Sequence, residues 1–439
     1  MFNYTINLIY LHNLACLLVF FLLSSSLVAI SAPDNPLQPA EEKFLREAFD
    51  AFEKGDCETA ELNLSRFRAL VGTRSLPSEV TSSVLELSFK ISLAQAKESL
   101  DNTASPGGFS NPRFSKAWAA VDQRTTELIS VIQNVVEGTL ERNNESGTIV
   151  AVARIQRVRL DRAAILHTAH AFKESLSEIA DAGQLFDKYR AYADKPITVY
   201  TKTPKGVDSI RRPRGEAVGF MTPETLTQET IAVLRSWHTV SPSDPEVSER
   251  LALVYGDFVD KYPTHQRAYG FLREKMELQN NLDLDALKNV LDSTSNKLTG
   301  QYVGNRISFA NLLKNAKRHD EALPIYEEVV KSELCPPSRV AEAYVQMADI
   351  HATQGTTDRA KECYIIAKGL TDRFEHIDPA LAALDKAKVR QKAVSIESHA
   401  QRSWRTYFVI INVIFITAMT CFMWLRRHGG PTKKGMGHE

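Results

Sequence analysis

The chain has 439 residues, with 53 basic against 53 acidic side chains, 44% hydrophobic residues and 24% charged ones. Zero formal net charge excludes a general nucleic-acid binder, which carries a basic excess. Unexceptional glycine and proline content excludes a collagenous or low-complexity chain. Cys57, Cys335 and Cys363 are scattered through the body and make no disulfide framework; three free thiols are the simple reading, and a Cys335–Cys363 bridge is the alternative.

In chain order, the first element is the apolar run Leu14 to Leu23, followed by Ser24, Ser25 and Ser26 and by small residues at Ala29, Ser31 and Ala32. It predicts a signal peptide over 1–32, cleaved after Ser31 or Ala32. The run is preceded by no Lys or Arg, so an uncleaved anchor is the alternative. Residues 41–192 read as helical. Phe44, Ala48 and Ala51 precede Gly55, and Ala60, Leu64 and Phe67 follow it, which predicts a helix pair over 41–74. Helical periodicity continues over Ser78 to Leu100 and Arg113 to Arg142, around a turn-rich Ser105–Pro112. Gly147 to Tyr192 reads as one helix, or as two broken near Gly183. Asn63-Leu64-Ser65 and Asn144-Glu145-Ser146 match glycosylation acceptors; the first lies inside a predicted helix, the second in a turn.

Residues 193–224 interrupt this pattern. Ile197 to Tyr200 alternates like a short strand, and Pro204, Gly206, Pro213, Gly215 and Gly219 then prevent a helix. The expectation is a long irregular loop, made basic by Lys195, Lys202, Lys205, Arg211, Arg212 and Arg214, suited to an anionic partner or to lipid headgroups.

Helix pairs return over 225–376, most clearly at 303–336 and 341–374. Phe309, Ala310 and Leu313 stand before a turn at Lys317 to Asp320, and Ala322, Tyr326 and Val329 after it. Tyr344, Met347, Ala348 and His351 stand before Gly355, and Ala360, Tyr364 and Ala367 after it. A degenerate copy runs from Pro245 through Leu251, Ala252 and Tyr255 to Ala268 and Leu272.

These residues resemble the tetratricopeptide repeat, a helix–turn–helix unit of ~34 residues. The match is to the architecture: where the family's first helix has a tryptophan, Phe44, Arg306 and Tyr344 stand here. The resemblance implies an all-α solenoid whose first helices line a groove for a protein or peptide. On that reading Asn311, Lys314, Asn315, Gln346 and His351 are the partner-binding candidates. It does not extend to the family's carboxylate clamp, because Ile307 replaces the expected lysine and Glu342 opposes the charge; only Asn311 matches.

Asp378-Pro379 starts a further helix. It is expected to run as a stalk over 378–405 into a transmembrane helix over 406–425, with a short basic tail at 426–439. Tyr407 to Leu425 is uncharged and close to the ~20 residues that span a hydrocarbon core. Trp404, Tyr407 and Trp424 sit at belt positions. Flanking charges do not orient the span; the signal does, placing the body outside and the tail in the cytoplasm. Asn412, Thr417 and Thr420 offer polar groups for a homodimer through this helix. A tail-anchored cytosolic adaptor, resembling the mitochondrial fission adaptor, is the alternative that the N-terminal apolar run opposes.

Enzyme signatures are absent: no phosphate-cradling glycine loop, nucleophile elbow, HExxH or paired CxxC. No catalytic residue and no cofactor is expected, and the chain reads as a scaffold. The enzymatic or metal-binding alternative rests on His167, His170 and Glu174, spaced i, i+3, i+7 on a predicted helix. Ordinary packed or surface histidines are the plainer reading.

Overall fold

A computed structural model describes residues 37–101, 108–203, 206–295, 297, 299–371, 373–386, 406, 408–414, 416–417, 419–420 and 423. The predicted signal at 1–32, stalk residues 387–405, Lys205, Trp404, Tyr407, Trp424 and the tail at 426–439 lie outside them. The chain divides into two units, Met1–Phe258 and Val259–Glu439.

The first unit is a run of antiparallel helices: α1 (Pro39–Glu53), α2 (Cys57–Val71), α3 (Ser78–Asp101), α4 (Pro112–Glu141), α5 (Glu145–Thr168) and α6 (Phe172–Ala193). Each packs on the next, and α1 touches α3 as α3 touches α5. The odd-numbered first helices therefore share one face. Ala48 and Ala60, both fully buried, let α1 and α2 approach closely. Phe114, Val121, Leu128, Ile149 and Val152 fill the core between α4 and α5. Asn111 caps α4 and Asn144 caps α5, each side-chain oxygen accepting first-turn N–H groups.

The interruption after α6 is a β-ribbon where the sequence predicts an irregular loop over 193–224. Strands β1 (Pro196–Thr203) and β2 (Gly206–Pro213) pair antiparallel, from Pro196↔Pro213 to Thr203↔Gly206. Pro196 and Pro213 fall at the ends of the strands, where a missing donor costs no ladder bond. A one-turn helix α7 (Arg214–Ala217) follows, then α8 (Pro223–Val240) and α9 (Pro245–Lys261). Gly215 packs closely here: a Cβ would stand 3.0 Å from that of Ala193.

The second unit contains α10 (Ala268–Leu278), α11 (Leu284–Ser293), α12 (Gly300–Asn315), α13 (His319–Val330), α14 (Pro337–Thr353) and α15 (Thr357–Leu370). Sequential neighbours pack together from α10 to α15, and α12 also touches α14. Ala310, Ala322, Ala348 and Ala360 are fully buried at the crossings, beside Tyr326 and Tyr364. Helix resumes over 377–386, where Ile377 is buried and Lys368 pairs with Asp378 at 2.6 Å. Cys57, Cys335 and Cys363 are free thiols, so the Cys335–Cys363 bridge is not formed.

One turn geometry recurs. Gly55, Asn143, His170, Asn280, Lys317 and Gly355 all have φ between +50° and +80°. In each case the next N–H donates to a carbonyl five residues back: Asp56 to Ala51, Asn144 to Thr139, Ala171 to Leu166, Asn281 to Met276, Arg318 to Leu313 and Thr356 to His351, at 2.8–3.0 Å. This is the Schellman end, which favours glycine. It explains why the break in 147–192 falls at Thr168–Ala171 and not at Gly183, which lies inside α6. Lys317→Gly is expected to stabilise the fold by about 1 kcal/mol by removing left-handed strain, and Gly355→Ala to cost a similar amount. Urea unfolding midpoints of the two variants check the opposite signs.

Among the described residues no helix is long and apolar enough to cross a membrane. Phe408–Ile414 is helical within the predicted span. Phe408, Val409, Ile410 and Ile411 are each 48–69% exposed. Asn412 Nδ2 donates to the Phe408 carbonyl at 2.8 Å, Thr417 to Val413 at 2.7 Å, and Thr420 to Ile416 at 2.9 Å. All three side chains bond within their own helix.

Candidate functional site

The shared face of α3 and α5 carries a row of charge. On α5, Arg154, Arg157 and Asp161 stand at i, i+3, i+7; on α3, Glu86 and Lys90 stand one turn apart. Arg154 donates to Glu86 at 2.7 Å and to the Ser82 hydroxyl at 2.8 Å. Lys90 lies 2.9 Å from Glu86, and Arg157 lies 3.1 Å from Asp161. Burial opposes ionisation of Glu86, yet Lys90 and Arg154 hold its carboxyl down at about 2. Burial pushes Asp161 up, with the Glu86 charge adding to it against Arg157 and Lys90. All five side chains remain between 28% and 41% exposed. They form a partly exposed, charged strip on α3 and α5.

The second unit repeats this on α12 and α14. Lys314 Nζ donates to Gln346 Oε1 and to Asp349 Oδ2, both at 2.6 Å. Tyr364 of α15 donates to the other Asp349 oxygen, and Tyr326 of α13 donates to Asn311 in the same register one unit earlier. Burial first, and then the hydrogen bond to Asp349, raises the Tyr364 phenol. Asp349, which joins Lys314 to Tyr364, was not singled out from sequence, and Tyr364 was read only as a repeat position. A polar residue fifteen positions before each repeat tyrosine is the signal that finds both. Of the five candidates, Lys314 and Gln346 come together, Asn315 is exposed on the same helix, and Asn311 is bound to Tyr326.

His351 is placed differently. It is only 8% exposed, its Nδ1 lies 3.1 Å from Thr356 Oγ1, and its carbonyl accepts from that hydroxyl at 3.0 Å. It supports the Gly355 turn. Burial lowers its pKa, and burial followed by the His170 charge lowers that of His167. A histidine held below its unfolded value contributes stability in full above about pH 6.5 that is lost as pH falls through that value toward the folded one. Stability is expected to fall between pH 7 and 5, less steeply in His351→Gln; equal slopes in pH-dependent thermal unfolding would count against this assignment.

The metal reading fails on geometry. His170 is the left-handed residue ending α5, so His167, His170 and Glu174 do not share a helix face. His170 stacks on Phe172 at 5.4 Å, and Phe172 stacks on Trp237 at 5.9 Å. No group of His, Cys, Asp or Glu among the described residues could hold a metal ion. Asn63 is buried in α2 and closed to glycosylation, whereas Asn144 is exposed while capping α5.

The basic residues are divided by the ribbon. Lys195 and Arg214 at its root both pair with Glu145, and the Arg214 contact is 3.0 Å. Arg212 pairs with Glu216 at 3.2 Å. Arg211 is exposed, and Lys202 stands in β1. Elsewhere, α6 and α8 leave a shallow groove of about 250 Å³, lined by Leu176, Ile179, Gly183 and Leu226 with Arg250 at its rim.

No protein-family model and no curated protein matches the chain. Among solved structures it is similar to the P58(IPK) TPR domain, at 11% identity over 81% of this chain and 90% of that one, with a TM-score of 0.27. It is also similar to a tetratricopeptide repeat protein from Parabacteroides merdae ATCC 43184, at 10% identity over 79% and 99%, with a TM-score of 0.22. A third similarity is to yeast Tom70, at 15% identity over 81% and 83%, with a TM-score of 0.27.

Proposed function

We propose that this chain is a non-catalytic scaffold, tethered to a membrane through 406–425, whose first-helix faces bind a protein or peptide partner. The observation that carries the reading is the half-exposed charged strip on α3 and α5, with its counterpart Lys314–Asp349 on α12 and α14. Charged groups kept wet on adjoining first helices suit selective recognition of a polar chain. Repeated helix pairs build extended binding surfaces of this kind. In a detergent extract of the full chain, Arg154→Glu with Arg157→Glu is expected to release a co-purifying partner at least tenfold. Retention equal to the parent protein would count against the α3–α5 face.

Support for the tether is physical. Four consecutive apolar residues, Phe408 to Ile411, cover the whole circumference of a helix and none is covered by protein. The polar side chains there bond to their own backbone, as a hydrocarbon environment demands. The body lies outside and the tail inside, following the predicted signal. The full chain is expected in the membrane pellet after alkaline carbonate extraction, and a chain lacking 406–425 in the supernatant. A full chain released by carbonate would end the tether reading.

A further inference from the structure

Among the described residues the β-ribbon stands outside the helix-pair plan. The Arg214 N–H donates to the Lys195 carbonyl at 2.8 Å, which marks 195/214 as a bonded pair. Bonded and non-bonded pairs alternate along an antiparallel ladder. With the observed register, the bonded pairs are then 197/212, 199/210, 201/208 and 203/206. The backbone groups of Val207, Ser209 and Arg211 consequently point away from β1. Among the described residues the sheet has two strands, and that edge of β2 has no neighbour in it. A two-stranded ribbon is marginal alone and gains from a third strand.

Charge selects the occupant. The ion pairs described above use Lys195, Arg212 and Arg214 at the root. Arg211 sits beyond them, exposed and with no acidic partner among the described residues, on the outward-bonding set of β2. At the root, Lys195 and Arg214 both pair with Glu145 of α5.

We propose that the β2 edge at Gly206–Pro213 takes an extended, acidic segment of a protein partner as a third strand. Main-chain bonds to Val207, Ser209 and Arg211 supply affinity, and the Arg211 guanidinium selects for carboxylate. This surface is separate from the first-helix faces.

The test uses the detergent-solubilised full chain and a fluorescent peptide of alternating glutamate and valine. Binding is expected, with slowed amide exchange over 206–213 and at least tenfold loss in Arg211→Glu. A peptide of equal charge with proline in place of valine is expected not to bind. Arg154→Glu with Arg157→Glu is expected to leave peptide binding unchanged, which separates this proposal from the scaffold reading. Equal binding of both peptides, protection on α3 and α5 in place of the ribbon, or absence of peptide binding would each overturn it. So would Arg211-dependent retention on phosphatidylglycerol vesicles without peptide binding.

Discussion

Arg162→Leu is expected to lower the unfolding free energy by about 3 kcal/mol, the cost of leaving a buried charge without its partner. Arg162 of α5 is 9% exposed. Its Nε donates to Glu178 Oε1 at 2.7 Å, its Nη1 to the Thr125 hydroxyl at 3.0 Å, and its Nη2 lies 2.7 Å from Asp122. The guanidinium also lies 4.9 Å from the centre of the Trp118 ring. One side chain thus joins α4, α5 and α6. Leucine leaves Glu178, 7% exposed, with Arg159 at 2.9 Å as its remaining cation. Removing both charges, as Arg162→Leu with Glu178→Leu, should recover part of the loss, because the pair's desolvation is then avoided. A single variant within about 0.5 kcal/mol of the parent in urea unfolding, the range of an ordinary surface change, would refute the role.

The second large effect is expected at Gln156, which is fully buried in α5. Its amide nitrogen donates to the carbonyls of Ala182 at 3.2 Å and Met221 at 3.1 Å, and its oxygen accepts from the Met221 N–H at 2.6 Å. It therefore ties α6 and the segment before α8 to the central helix. Gln156→Leu preserves much of the volume and leaves the Met221 N–H and carbonyl without their side-chain partner, while the Ala182 carbonyl lies inside α6 and keeps its helical bond. At about 1–3 kcal/mol for a buried unsatisfied group, a total near 3 kcal/mol is expected. The loss should be local first: amide exchange at Met221 speeds up more than exchange in α1 or α2. Uniform acceleration across the first unit would mean that Gln156 acts on global packing alone.

The helix pairs were legible because the small residues recur at one spacing. Ala48 and Ala60, Ala310 and Ala322, and Ala348 and Ala360 each stand twelve apart across a turn, and all are fully buried. Turns were legible where glycine takes the left-handed position, at Gly55 and Gly355. They were hidden where His170 takes it, because tertiary packing there overrides the residue preference; Phe172 stacks against the histidine ring. Gly183 attracted the break because glycine in a helix usually signals one, yet it only lines the shallow groove beside Leu226. The ribbon was half legible. Alternation at Ile197 and Val199 was visible, but a Pro-Lys connection lacks the Asn-Gly signal of a hairpin.

The candidate faces were less legible than the fold. Asn311, Lys314 and Gln346 follow from position on first helices. The joining of Lys314 and Gln346 to Asp349 and Tyr364 spans three helices and has no local signature. The α3–α5 strip depends on Glu86 meeting Arg154 across 68 residues of sequence. His351 was misread because its face of the helix turns inward at the last turn, where it closes on Thr356.

Site-specific photo-cross-linking in the native membrane tests the scaffold claim most directly. A photoreactive residue at Arg157 and at Asn315, on first helices, is compared with one at Leu62 and at Ile365, which are 51% and 62% exposed on second helices. Partner cross-linking from Arg157 with none from Leu62 in the first unit, and from Asn315 with none from Ile365 in the second, is the predicted result. Cross-links from Leu62 and Ile365 with none from Arg157 and Asn315 would contradict it.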